Sequence, residues 1–473
     1  MRETTVDEAA SGGELSHWQY GPLLESTAER AKRWLDGVPD RPVPPHSGIE
    51  EAKNALGRSL PDNGHDAARV IEKLVAGVEP GLMAIQSPRF YGWVMGGTHP
   101  VALAADWLVS SWDQNAGMRS VTPGVVAAEE IAGEWVLEVL GLPAGCAVGF
   151  VTGATVASFV GLSAARHHVL ANAGWDVNRD GLFGAPHINF VVGQERHSAV
   201  DLAGRYLGLG APMVIPSDAQ GRIRVDLLAD HLADVDGPTI VCLQAGNVHS
   251  GSFDDFLGGI EIAHQRQAWA HIDGAFGLWA AASPRFDSLV DGFRRADSWA
   301  TDAHKTLNVP YDCGVAIVAH PEALAAAFGV EASYLATAED GANPYDLVPE
   351  LSRRARGVPV WAALRWLGRS GVTKLVERLA DGAAGLAEGF RTLPGAKVLN
   401  EVVFTQVCLA LRDDATTIGV GQLLRDEGLV FASPSRWHDR AILRFSVSNW
   451  ATDAQQVELT VDAVRRALAK WEG

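Results

Sequence analysis

Between residues 145 and 320 short apolar runs alternate with helical ones, and several of the apolar runs end in glycines or polar groups. The runs are Ala147–Val151, Ile188–Val192, Met213–Ile215, Thr239–Leu243, Ala270–Ile272, Ser298–Ala300 and Gly314–Val318. Helical patterns lie between them at Thr155–His168, Ala199–Leu207, Val225–Leu232 and Ile260–Gln267. Such alternation predicts an α/β fold with a mainly parallel central sheet and helices on both faces. In a parallel sheet all strand ends point the same way, and ligands bind at the carboxyl edge. What stands at the end of each run is therefore chemically significant.

Two of those ends carry an acid and an amine. Ala270–Ile272 runs into Asp273, and Ser298–Ala300 leads to Asp302-Ala303-His304-Lys305. A buried Asp–Lys pair between neighbouring strands would account for this. So would a pyridoxal phosphate (PLP) site, which needs an amine for the aldehyde and a carboxylate for the ring nitrogen. Other strand ends add to the same edge. Thr152-Gly153-Ala154-Thr155 joins a strand to a helix with small residues, suited to a helix cap or to an anion at the helix N-terminus. His197 opens the helix after Ile188–Val192, as a cap or as an imidazole lying flat on a ring. Asn247 and His249 follow Thr239–Leu243. Capping residues acting independently have no cause to gather at one edge with a lysine and an aspartate.

Around this core the chain reads as follows. A helical pattern over residues 23–35 ends at Gly37 and is followed by R-P-V-P-P, where proline forbids helix. Residues 64–77, 101–118 and 123–140 read as helices by their i, i+3, i+4 apolar spacing. S-P-R-F-Y-G-W-V-M-G-G-T-H-P, from Ser87, suits a pocket-lining loop or a turn with buried aromatics. Beyond Pro321, helices are predicted over 322–328, 358–386, 417–427 and 453–471, with strands over 398–411 and 441–447. The expected division is an N-terminal helical and extended arm (1–80), a large α/β domain (81–330), a mobile or functional loop (331–357) and an α+β C-terminal domain (358–473).

Composition excludes several classes. A net charge of −18 and a pI near 5.2 argue against nucleic acid or an anionic membrane surface as partner. Cys146, Cys242, Cys313 and Cys408 have no metal-site spacing, and buried thiols in a reducing compartment explain them. No apolar run approaches the roughly 18 residues of a membrane span. The expectation is a cytoplasmic protein without a metal.

The motifs also resemble a family. H-I-D-G-A-F resembles the H-V-D-A-A-[FY] of the PLP-dependent group II amino-acid decarboxylases, and D-S-W-A-T-D-A-H-K resembles their D-S-[ILF]-x-x-[DN]-[AP]-H-K. E-R-H-S-A-V and T-G-A-T-V-A-S resemble the family's x-x-H-S-S-[VI] and [ST]-G-G-T-E-A-N. The likeness, to aromatic-L-amino-acid and glutamate decarboxylases of fold type I (aspartate-aminotransferase-like), runs from about Asp40 to Arg466. Q-A-G-N-V-H and S-R-R-A-R-G-V-P-V-W-A-A-L look more like a bacterial aminotransferase-like branch.

The resemblance implies a site. Lys305 is the Schiff-base lysine, Asp273 pairs with the ring nitrogen, Ala275 packs beneath the ring and His197 stacks on it. Ala154, Thr155, Asp302 and His304 surround the phosphate, with Asn247 near the ring hydroxyl. Tyr334, in the loop S-Y-L, is the proton donor after CO2 leaves, and Arg89, Phe90 and Tyr91 line the substrate pocket. It implies decarboxylation of an L-amino acid to its amine in a homodimer with sites at the interface. The alternatives are aminotransfer, or oxidative deamination coupled to decarboxylation, giving an aldehyde. Thr306 departs from the family's usual Trp, and Ala154 and Val156 from its Gly and Glu. Arg89, Arg353, Arg354, Arg356 and Arg444 are candidates to meet a substrate carboxylate, while Phe90, Tyr91 and Trp93 favour an apolar or aromatic side chain.

Overall fold

The computed structural model describes residues 20–329 and 342–473. Its strands are β1 (Phe90–Tyr91), β2 (Ala147–Val151), β3 (Asn189–Gly193), β4 (Met213–Ile215), β5 (Thr239–Gln244), β6 (Trp269–Asp273), β7 (Ser298–Asp302), β8 (Gly314–Val318), β9 (Lys397–Val398), β10 (Gln406–Ala410), β11 (Phe431–Trp437) and β12 (Arg440–Ser446). Seven form one sheet in the order β2-β8-β7-β6-β5-β3-β4, and five form another in the order β1-β11-β12-β10-β9. In the large sheet β8 runs antiparallel to both neighbours, and the remaining pairs are parallel. The predicted α/β architecture of fold type I is what the chain adopts.

The two-residue period of a strand shows directly in the core. Along β5, Val241 and Leu243 join one hydrophobic cluster while Ile240 and Cys242 join the other. β8 divides likewise, with Val315 and Ile317 on one side and Ala316 and Val318 on the other. Both faces are therefore covered, as a parallel sheet requires. Helix Ala154–Asn172 lies against the second cluster and helix Pro123–Leu140 against the first. All four cysteines are buried and unpaired, so they act as small apolar side chains.

Several boundaries differ from the sequence expectation. The helix predicted over 101–118 spans Pro100–Trp112, because Asp113 adopts the left-handed conformation (φ 49°) that ends it. The strand predicted over 398–411 is two short strands, β9 and β10, with residues 399–405 between them. The helix predicted over 358–386 runs Gly357–Arg391 with a break at Gly368, whose φ of 59° no helix contains. β1, β11 and a helix at Ile49–Leu56 had no strong periodic signal. Among the described residues no helix is long and apolar enough to cross a membrane.

Candidate functional site

The carboxyl edge of the large sheet gathers the expected groups. β6 ends at Asp273 and β7 at Asp302, with Lys305 in the turn beyond. Asp302 is 2% exposed and occupies both carboxylate oxygens. Oδ1 accepts the Ala154 N–H at 2.6 Å and Oδ2 accepts Lys305 Nζ at 2.8 Å. The carboxylate thus fixes the first residue of helix Ala154–Asn172 and the lysine together. His304 Nε2 lies 3.6 Å from the same Oδ2, its Nδ1 accepts the Cys313 N–H, and its ring stacks on Tyr311 at 4.1 Å. Burial lowers the imidazole pKa.

Asp273 is separate from this pair. It is 5% exposed, and its one side-chain hydrogen bond among the described residues comes from the Ala275 N–H at 3.2 Å. Burial raises its pKa above the usual carboxylate range, against the opposing pull of His197 and Lys305. A buried carboxylate without a directly bonded cation is costly unless a proton or a positive ligand atom joins it. A protonated pyridine nitrogen is such an atom.

The other side of the cradle depends on close backbone approach. A Cβ on Gly314 would stand 2.4 Å from the Gly153 carbonyl carbon. Only glycine lets β8 press the Gly153–Ala154 turn against Asp302. Thr155 follows in the first turn of a 19-residue helix, where the helix dipole favours an anion. The donor set therefore fits PLP: an amine, an isolated buried carboxylate, and a helix N-terminus for the phosphate.

His197 caps helix Ser198–Tyr206, its Nδ1 accepting the Ala199 N–H at 3.2 Å. That leaves Nε2 to carry the neutral ring's proton, and the side chain is exposed rather than buried in the core. Asn247 is fully buried and serves its own turn. Its Oδ1 accepts the His249 and Ser250 N–H groups, and its Nδ2 donates to Glu195 O. Thr306, in place of the usual Trp, is buried and donates to Phe276 O at 2.9 Å.

Three expected substrate contacts have other duties. Arg89 spends its guanidinium on Leu429 O, Gln456 Oε1 and Pro39 O. Phe90 and Tyr91 are each 1% exposed, Phe90 stacked on Phe431 and the Tyr91 hydroxyl bonded to Thr460 Oγ1. Their burial leaves no surface for a substrate, which corrects the pocket-lining expectation for all three. The neighbouring residues are closer to the chemistry. A Cβ on Gly96 would fall 2.1 Å from Lys305 O, so the segment after Trp93 lies directly on the lysine. The Gly-Gly pair of the M-G-G-T-H-P run was the available signal. Tyr334 lies outside the described residues.

Comparison with known proteins agrees with this geometry. The profile of the pyridoxal-dependent decarboxylase conserved domain matches residues 50–412. The aromatic-L-amino-acid decarboxylase of Bacillus atrophaeus is 24% identical over 458 residues, covering 92% of each chain. That of Rattus norvegicus is 26% identical over 456 residues, covering 91% of this chain and 94% of the relative. The 4-hydroxyphenylacetaldehyde synthase of Rhodiola rosea is 26% identical over 399 residues, covering 80% of this chain and 79% of the relative. Among solved structures, Oryza sativa TDC with PLP and tryptamine superposes with a TM-score of 0.88 at 20% identity, covering 96% of this chain and 98% of that one. With its profile match spanning most of the sequence and its cofactor pyridoxal 5'-phosphate, the chain belongs to the pyridoxal-dependent decarboxylase family.

Proposed function

We propose that this protein removes the α-carboxylate of an L-amino acid, or an amino-acid-like substrate, and releases the amine. The observation that carries the reading is the division of labour between two aspartates. Asp302 holds the Lys305 amine, while Asp273 is buried nearby with only a backbone donor among the described residues. One carboxylate is thus kept for the lysine and the other for a ring nitrogen.

Bound PLP supplies an electron sink for the pair left at Cα when CO2 departs. The chain's own residues do the rest. Lys305 offers the amine that joins the cofactor's aldehyde, and Asp302 holds that amine beside the phosphate turn. Ala154, Thr155, Asp302 and His304 are the residues that would lie around the phosphate. Asp273 would keep the ring nitrogen protonated, and Ala275 and His197 are the residues that would hold the ring from below and above. Asn247 sets the turn on the ring-hydroxyl side. Tyr334, carried over from the family motif, gives the proton to Cα.

Of the five arginines considered for a substrate carboxylate, four are already engaged. Arg353 pairs with Glu129, Arg354 with Asp106, Arg356 with Asp312, and Arg89 has its three acceptors. Arg444 differs. It is 6% exposed, its side chain has no hydrogen bond or ion pair among the described residues, and its Nε is buried without a partner. It lies opposite Ser433, whose hydroxyl accepts the Trp93 N–H close to the lysine-covering segment. A buried, unpaired guanidinium calls for an anion, and Arg444 is the group we assign to a substrate carboxylate.

The N-terminal helices support a dimer. Neither Tyr20–Asp36 nor Ile49–Leu56 buries a residue, and Leu24, Val70 and Leu74 stay exposed. Amphipathic helices of this kind gain their stability by packing, and a second copy of the chain is the partner we assign. The proposed segments are the arm to residue 80, the α/β domain to 330, the loop to 357 and the C-terminal domain beyond.

Oxidative deamination to an aldehyde is the second reading, favoured by the aldehyde synthase among the relatives. One experiment separates the two. The PLP-loaded protein is incubated with individual amino acids while CO2, amine, ammonia and peroxide are followed. Amine with CO2 supports the first reading, and ammonia with peroxide replaces it by the second. Tyr334→Phe should slow amine release and raise the peroxide share; unchanged amine output would remove Tyr334 as the acid.

A further inference from the structure

The loops after three parallel strands of the large sheet are gripped by one strand and hairpin of the smaller sheet. After β3, Glu195 Oε2 accepts the Trp437 indole N–H at 2.9 Å. Following β4, Ala219 O accepts His438 Nε2 at 3.0 Å. Beyond β5, His249 Nε2 meets Ser435 Oγ at 3.0 Å, and its ring stacks on Trp437. β11 and the turn that follows it therefore fasten the carboxyl edge of the large sheet at successive strand ends.

The Glu195 contact is the one that bears on the chemistry, because Glu195 stands two residues before His197. Glu195 is held at both ends. Its carbonyl accepts Asn247 Nδ2 at 3.1 Å and its carboxylate accepts the indole. A Cβ on Gly221 would come 3.0 Å from that carboxylate and 2.9 Å from Asn247 Nδ2, so the packing around the pair is close. Trp437 is 4% exposed and packs against the His249 and His438 rings, 6.2 and 4.0 Å away between centroids. Its N–H has a fixed direction. Among the described residues the His197 side chain is held by a single hydrogen bond, from the Ala199 N–H, so the orientation of its ring follows the turn that carries it.

We propose that Trp437 is a positioning residue for His197: its indole N–H, acting through the Glu195 carboxylate, fixes the turn that presents the imidazole to the cofactor. The inference rests on the reading that His197 faces the PLP ring. The smaller sheet thereby contributes to the site without touching the reacting atoms. Trp437→Phe removes the N–H and keeps an aromatic ring against the two histidines. Glu195→Ala removes the acceptor, and Glu195→Gln keeps an oxygen that can still accept.

The test uses the PLP-loaded protein and two readouts, the visible circular dichroism of the bound cofactor and the separate values of kcat and KM. Trp437→Phe and Glu195→Ala should each weaken the dichroic band and lower kcat about three- to tenfold, the loss expected for one hydrogen bond, with little change in KM. The double variant should be no worse than either single one, since both break the same link. Glu195→Gln should retain most of the band. His197→Gln is run alongside. If it alters the band while Trp437→Phe and Glu195→Ala do not, the Trp437 assignment is overturned and the placement of His197 stands. If His197→Gln leaves the band unchanged, the underlying reading and the inference both fail. Additive losses in the double variant also overturn the link.

Discussion

Lys305 Nζ lies 2.8 Å from Asp302 Oδ2, and the same carboxylate takes the Ala154 N–H through its other oxygen. The lysine is therefore anchored to the start of a helix rather than to Asp273. Two acids that sequence alone would have let compete for one amine have distinct partners. Removing the amine should be decisive: Lys305→Ala is expected to abolish turnover and the visible band of the lysine-linked cofactor. Absorbance of the purified variant checks this, and normal turnover would refute the role given to Lys305.

Gly314→Ala tests the close approach of β8 to the phosphate turn. With a Cβ 2.4 Å from backbone of Gly153, the turn must move, because backbone has no rotamer to yield. A cost of about 1–3 kcal/mol is typical of such overpacking. Thermal melting should reveal the loss, and PLP titration a weaker affinity. A variant that binds PLP as tightly as the parent would mean that the turn does not cradle the phosphate.

Arg444→Met retains bulk and removes the charge. If the guanidinium receives a substrate carboxylate, KM should rise about ten- to a hundredfold, the range for a hydrogen bond to a charged group. The cofactor band should not change, since among the described residues no hydrogen bond or ion pair joins the Arg444 side chain to the cofactor cradle. Steady-state kinetics on the substrate identified by product analysis measures the effect, and an unaltered KM sinks the assignment.

Asp254 offers a test in pH. The carboxyl is buried beneath the site, accepts the Ile223 and Gln244 N–H groups, and is pushed up by burial to about 7. Its folded pKa lies above its unfolded value near 3.8. The stability it contributes is thus complete below pH 3.8 and lost as pH rises through about 7. Asn cannot ionise, and its amide N–H faces one of the two backbone donors. Asp254→Asn should therefore melt lower than the parent at pH 5, with the gap narrowing by pH 9. A gap that does not vary with pH would contradict the shift.

Much of this was legible from the chain because parallel strands announce themselves twice, by apolar runs and by what ends them. Ala147–Val151, Met213–Ile215 and Gly314–Val318 match their predicted bounds, and Asp273 and Asp302 close β6 and β7. Arg89, Phe90 and Tyr91 were misread for a physical reason. An aromatic and basic cluster beside glycines looks the same whether it faces solvent or another sheet. The burying partners, Phe431 and Thr460, lie far along the sequence in elements that local periodicity does not connect to residue 90. The Asp302–Lys305 pair escaped too, since the choice between two nearby acids is set by side-chain direction. Trp437 gave no signal at all; its meaning depends on where the smaller sheet docks.

The reversed direction of β8 also governs when the site can exist. β2 and the helix that begins at Ala154 precede most of the large sheet in sequence, yet β2 joins that sheet only through β8. Closing so long a loop carries an entropic cost before any contact rewards it. On a ribosome, the phosphate turn must wait without its backing until Gly314 emerges. Capture of the cofactor is thereby tied to completion of the whole sheet, and a chain stalled before β8 has Lys305 and Asp302 but lacks the strand that backs the phosphate turn.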